Sequence, residues 1–328
     1  MMRELAEEFL ALAEKQEATM PLVVGNRLVG TSLASTGEMT QGRAHLDRAI
    51  ALYDPAQHRP LGVRFGQDIR VAALSYRAMV LWMLGYPKAA LADIEQMLTD
   101  AHEINQAATS MYASNHALLV HLMRGNYAEV ERLAEGQFRL AEEKGAMLWK
   151  AGALMNKGCV FALTSNSDAN QKKAIETLTD GLSTWSSTGA TVWGPWYRAH
   201  LAKAHAQVGQ FDEAWRHIRE AMTTIENSKE TWWEVEVNRI AGEIARRSPG
   251  VDALDAEKKF ERALSIARQQ QAKSWELYAS MSLARLWRDQ GRVQEARELL
   301  GPVYGWFTEG FDTRDLKDAK ALMEELDS

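Results

Sequence analysis

The sequence predicts an all-α chain: a solenoid of about seven helix-turn-helix units with a period of about 40–44 residues, closed by a terminal helix. Three observations carry this. The 328 residues include only 7 prolines and abound in Ala, Leu, Glu, Arg and Gln, which favour helices. Small or compact residues recur in the middle of successive apolar segments, at Gly30, Ala78, Leu118, Gly158, Ala202, Gly242 and Ala284, in steps of 48, 40, 40, 44, 40 and 42. A second series follows each mark, at Gly42, Ala90, Val130, Ala174, Ala214, Ala256 and Ala296, with a turn signal between the two.

Residues 1–20 form a lone helix, Arg3 to Lys15, with the character of a unit's second helix. It is either a cap or the middle of something longer, because stacked units need polar ends. Seven units then occupy residues 23–310, and no proline is expected inside a helix-periodic run. Unit one turns at Gly37-Glu38-Met39. The connection Asp54–Asp68 explains the first long step; it is either a solvated loop or a functional one. Units two and three turn at Gly85-Tyr86-Pro87 and Gly125-Asn126-Tyr127, and unit four over a longer stretch, Thr164–Ala169. In unit five, Gly209 ends the first helix with a left-handed backbone, Phe211 packs back, and Ala214 and Ala221 line the seam. Unit six turns over Ser248–Asp252 and unit seven at Gly291-Arg292-Val293. Residues 313–328 read as a polar amphipathic capping helix.

The text of unit five recurs at Leu283-Ala284 with Gly291 and Ala296, and at Ala78 with Gly85 and Ala90. It resembles the tetratricopeptide repeat, with slightly longer helices. The resemblance implies a right-handed superhelix whose first helices line a concave groove. Other phrases are similar to one bacterial group: Tyr53-Asp54-Pro55-Ala56-Gln57-His58-Arg59, Trp232-Trp233-Glu234, Ile266–Leu277, Ser282–Trp287 and Tyr304–Thr313. They resemble the C-terminal repeat arm of multidomain signalling proteins, in which a class III adenylate or guanylate cyclase or a winged-helix domain precedes an AAA-type ATPase module. What this implies is a regulatory arm with no catalytic role of its own.

Composition narrows the function further. A net charge of −6 disfavours nucleic acid as a partner. No stretch approaches the 18 or so apolar residues of a membrane span. The acidic N-terminus lacks signal-peptide character and Cys159 stands alone, so the cytoplasm is the expected compartment. Gly-x-x-x-x-Gly-Lys-Ser/Thr, Gly-x-Gly-x-x-Gly and Gly-x-Ser-x-Gly are all absent. No catalytic, cofactor or metal site is predicted. Cys159 reads as a buried small hydrophobe, and the histidine pairs five apart lie about 140° apart on a helix, wrong for a shared metal.

The 11 tryptophans either fill gaps between long helices or line the groove; Trp82 and Trp196 are the best groove candidates. By the repeat resemblance, units two and three present Ser75, Met79, Trp82, Tyr112, Asn115, Leu119 and Met123. Units six and seven present Glu236, Arg239, Glu243, Arg246, Tyr278, Arg285 and Arg288. Asn115 alone matches the carboxylate clamp of chaperone-binding relatives, which disfavours that role. Arg239 and Arg246 share one helix face and Arg285 and Arg288 another. These four either converge on an acidic or phosphorylated segment or pair with internal glutamates. The leading expectation is a non-catalytic scaffold binding a protein partner, such as a cyclase or ATPase module. The alternative is a sensor holding a peptide or small ligand in the groove.

Overall fold

The computed structural model describes residues 2–16, 19–164 and 167–327. Of the stretches named above, Met1, Glu17, Ala18, Ser328 and the Ser165-Asn166 step of the unit-four turn lie outside the described residues. Every regular element among the described residues is helical, and the long helices form seven pairs. Met2–Gln16 comes first. The pairs are Thr19–Ser35 with Met39–Leu52, Ile69–Met83 with Pro87–Ile104, Ala107–Met123 with Tyr127–Glu143, Met147–Thr164 with Asp168–Ser187, Gly194–Gln207 with Phe211–Ser228, Glu234–Arg247 with Ala253–Gln269, and Lys273–Asp289 with Val293–Tyr304. Arg314–Asp327 comes last.

The turns within units are made the same way. Gly37, Gly85, Gly125, Gly209 and Gly291 have φ of 93°, 91°, 72°, 77° and 80°. The residue after each donates its N–H five residues back, from Glu38 to Leu33, Tyr86 to Leu81, Asn126 to His121, Gln210 to His205 and Arg292 to Trp287. This satisfies helix-end carbonyls through a conformation that side chains resist. The small residues act as spacers. A Cβ at Gly42 would lie 2.7 Å from the Gly30 carbonyl oxygen, and one at Gly242 would lie 2.5 Å from the Phe260 ring.

First helices form an inner layer and second helices an outer one. Ten of the 14 residues in Glu234–Arg247 are buried. In Phe211–Ser228 only Ala214, His217, Ile218, Ala221 and Ile225 are, at the spacing of one helical stripe. Arg314–Asp327 lays Leu316, Ala319, Leu322 and Leu326 on Leu300, Val303 and Phe307. Met2–Gln16 packs Ala6 and Leu10 on Val29 and Leu33 but leaves Leu5, Phe9 and Leu12 exposed, an apolar stripe at helical spacing. One expectation fails: Pro302 lies inside a helix. It is tolerated because only the last turn follows, where few backbone bonds are left to lose.

The superhelix closes on itself. Ser274 Oγ donates to the Trp82 carbonyl at 2.5 Å, and the Trp82 and Trp275 rings meet edge-on at 4.7 Å. Tyr278 donates to the Met123 carbonyl at 2.9 Å, and the Thr231 N–H to that of Ser35 at 2.8 Å. Glu309 accepts from the backbone N–H groups of Lys88 and Ala89. Units one to three thus rest on units six and seven, and the interior is roofed.

Candidate functional site

Closure decides the fate of the groove-facing residues. Ser75, Met79, Trp82, Asn115 and Leu119 are fully buried, and Trp196 is 3% exposed. The open aromatic lining expected at Trp82 and Trp196 is therefore absent; Trp196 contacts Trp233 at 5.1 Å and Trp275 at 5.6 Å. Gap filling is what these rings do. Their indole N–H groups, with those of Trp232 and Trp233, find no acceptor atom among the described residues. Tyr278 belongs to the same interior, its ring edge-on to Trp82 and Trp275.

The four arginines divide. Arg239, 6% exposed, pairs with Glu236 at 2.6 Å and also with Glu243. Burial opposes the charge on Glu243, yet Arg239 and Lys203 hold its carboxyl well below the usual carboxylate range. Arg239 is thus used internally. Arg288 bonds Asp289 and reaches Glu325 of the last helix. Arg246 and Arg285 do share a cleft, of about 220 Å³, between the first helices of units four to seven. Lys203 and Arg247 join them there, which sequence reasoning missed because unit five enters the cleft only through superhelical stacking. Among the described residues Arg285 makes no hydrogen bond or ion pair, and burial lowers its pKa, reinforced by Arg239 and Arg288 against Asp318 and Glu243. Four cations thus line the cleft with one carboxylate, Glu243, which Lys203 pairs at 3.0 Å, while Arg246 reaches out to Asp289 at 3.4 Å; the excess of positive charge, centred on Arg285, favours an anion.

A second opening, about 450 Å³ and partly open to solvent, lies where the early units meet the loops before units five and six. The first helix of unit one supplies Arg27 and Thr31, and unit two supplies Tyr76. The loops before units five and six supply Val192, Glu230 and Trp232. Sequence reasoning missed this place, since its walls meet only when the chain closes.

Other candidates resolve structurally. Cys159 is buried and burial pushes its thiol pKa up, which makes it a poor nucleophile. The Asp54–Asp68 connection is ordered: Asp54 caps one short turn through the Ala56 N–H, and Asp68 caps the first helix of unit two. The pairs His116–His121 and His200–His205 form no shared site, but His205, Glu213 and His217 bring donor atoms within 4.8 Å of one another. Twelve residues and a turn separate the two histidines, a spacing no helix-face rule flags. Arg216 bonds Glu213 at 2.6 Å and His217 at 3.1 Å, so a guanidinium already supplies the positive charge there.

Comparisons with known proteins agree with this architecture. An uncharacterized protein of Rhizobium meliloti (strain 1021) is 25% identical over 226 residues, 68% of this chain. The match spans only 21% of that relative's length. Among solved structures, the Rap conjugation gene regulator of plasmid pLS20, in complex with the Phr* peptide, is similar at a TM-score of 0.64 and 8% identity. That match covers 96% of this chain and 77% of the other. The apo form of RapI is similar at a TM-score of 0.55 and 12% identity, over 92% and 99%. At these identities the likeness is one of fold. Residues 195–220 and 277–302 match the tetratricopeptide repeat, so the best-formed units of this helical solenoid, five and seven, are repeats of that kind.

Proposed function

We propose that this chain is a non-catalytic regulatory arm of a cytoplasmic bacterial signalling system, gripping an acidic or phosphorylated segment of a partner protein. The observation that carries the reading is the cleft of Lys203, Arg246, Arg247 and Arg285, where the Arg285 guanidinium has no partner among the described residues. Leaving a half-buried cation unpaired costs free energy that an incoming carboxylate or phosphate would offset, and the arginine fork suits both bidentately. An arm attached to a cyclase or ATPase module is supported by the phrases in the last hundred or so residues and by a match to one fifth of a longer relative. The exposed stripe Leu5, Phe9 and Leu12 supports a further contact at that end.

The test is binding of a labelled glutamate-rich peptide and its phosphoserine counterpart, by fluorescence anisotropy at low and high salt. Binding should be salt-sensitive and fall at least tenfold in Arg246→Glu with Arg285→Glu, with the helical circular dichroism spectrum unchanged. Equal binding by a folded double variant would sink the cleft. ATP turnover and cyclic-nucleotide formation should stay at background.

A second reading, a ligand sensor, is favoured by one observation, the second opening, between units one and six. The peptide bound by the pLS20 regulator, a protein of similar fold, is in keeping with it.

A further inference from the structure

The second opening has an unusual polar inventory. Among the described residues Arg27 makes no hydrogen bond or ion pair, and its Nε is buried. Glu230, on the facing loop, has an equally unpartnered carboxylate, and burial raises its pKa with no cation to offset it. The two charges line one cavity yet do not pair with each other. Both side chains are half-buried, and a cavity meant to stay empty would be cheaper with apolar groups in their place, since an unpaired charge that loses part of its hydration is costly. Two donors add to this: the hydroxyl of Thr31 and the indole N–H of Trp232, which is 1% exposed, lack acceptors. Between the charges the wall is aromatic, with Tyr76 and Trp232 stacked at 6.3 Å and 17°. The volume, about 450 Å³, falls within the range of small-ligand sites. Both loops are also strained: Trp193 and Lys229, adjoining Val192 and Glu230, hold φ of 65° and 63°.

We infer that this cavity binds a zwitterion bearing a free ammonium and a free carboxylate, the carboxylate meeting Arg27, the ammonium meeting Glu230 and the body lying against Tyr76 and Trp232. The inference rests on the sensor reading and names its ligand class. Two sources carry that chemistry, a free α-amino acid and a short linear peptide.

The full chain is tested by thermal shift and titration calorimetry with three probe sets. These are individual amino acids, a library of di- to tetrapeptides with free ends, and the same peptides acetylated and amidated. A free-ended set should raise the melting temperature and the capped peptides should not. Which free-ended set responds identifies the source. Arg27→Gln and Glu230→Gln should each weaken the response at least tenfold, while binding of the glutamate-rich peptide at the cationic cleft stays unchanged. Capped peptides binding as tightly as free ones would overturn the zwitterion and leave the sensor reading standing. No response to either free-ended set overturns the proposal. The capped-peptide arm needs no variant, so the outcome does not depend on the variants folding.

Discussion

Single residues set the spacing of this molecule. At Gly42 a methyl group would meet two backbone atoms, the Gly30 carbonyl oxygen at 2.7 Å and the Ala34 nitrogen at 2.9 Å, with the Ala34 Cβ next at 3.1 Å. Neither can rotate away, so Gly42→Ala should destabilise the chain by about 1–3 kcal/mol, the usual cost of overpacking. Gly136 gives the contrast: it lies inside Tyr127–Glu143 with nothing within 4 Å of an added Cβ. Gly136→Ala should stabilise by about 0.5–1 kcal/mol through helix propensity. Chemical denaturation of both variants checks the pair, and opposite signs are the expected result. The buried histidines set the response to acid. Burial lowers the pKa of His200 to about 3 and those of His116, His121 and His217 to about 4. Unfolded imidazoles titrate near 6.5. Above that pH both states are neutral at these rings; below it the unfolded chain binds protons that the folded chain refuses. Stability should therefore fall as pH drops from about 6.5 towards 4. His200→Phe should flatten part of that slope, and melting curves at pH 7 and pH 5 that coincide would contradict it.

At the scale of the element, the helix pair is the unit that the period of the sequence describes. Its signals are local: a glycine that ends one helix, small residues that let the next approach, an apolar stripe on the outer partner. That is why both mark series, and the turns that lie within the described residues, are legible in the sequence, and why the marks from Gly30 to Ala284 fall inside first helices. The terminal helix extends the same logic. Without residues 314–328, Leu300, Val303 and Phe307 would lose the cover of Leu316, Ala319, Leu322 and Leu326. Units in a stack depend on their neighbours. The truncated chain should melt at lower temperature and aggregate, as read by light scattering; a truncation as soluble and stable as the full chain would mean that the helix covers nothing of consequence.

At the scale of the whole molecule, the sequence period says nothing about where distant units meet. The repeat resemblance pictured an open groove; closure filled it and turned Trp82 and Trp196 into core, while stacking of units five to seven gathered Lys203 with Arg246 and Arg285. Arg27 and Glu230 carry no motif at all, being a helix residue and a loop residue joined only by that closure. Trp275 is the test of it. Trp275→Ala should cost about 3–5 kcal/mol and enlarge the radius of gyration in small-angle scattering as units two and seven part. The same loss with unchanged dimensions would make the ring a filler and not a clasp. Closure also imposes a schedule on synthesis. Ser274 lies 192 residues beyond Trp82. At translation rates of about 5–20 residues per second, unit two leaves the ribosome roughly 10–40 s before its partner exists. Through that interval the inner face of the early units is an uncovered apolar surface, a surface of the kind chaperones bind, until unit seven arrives to cover it.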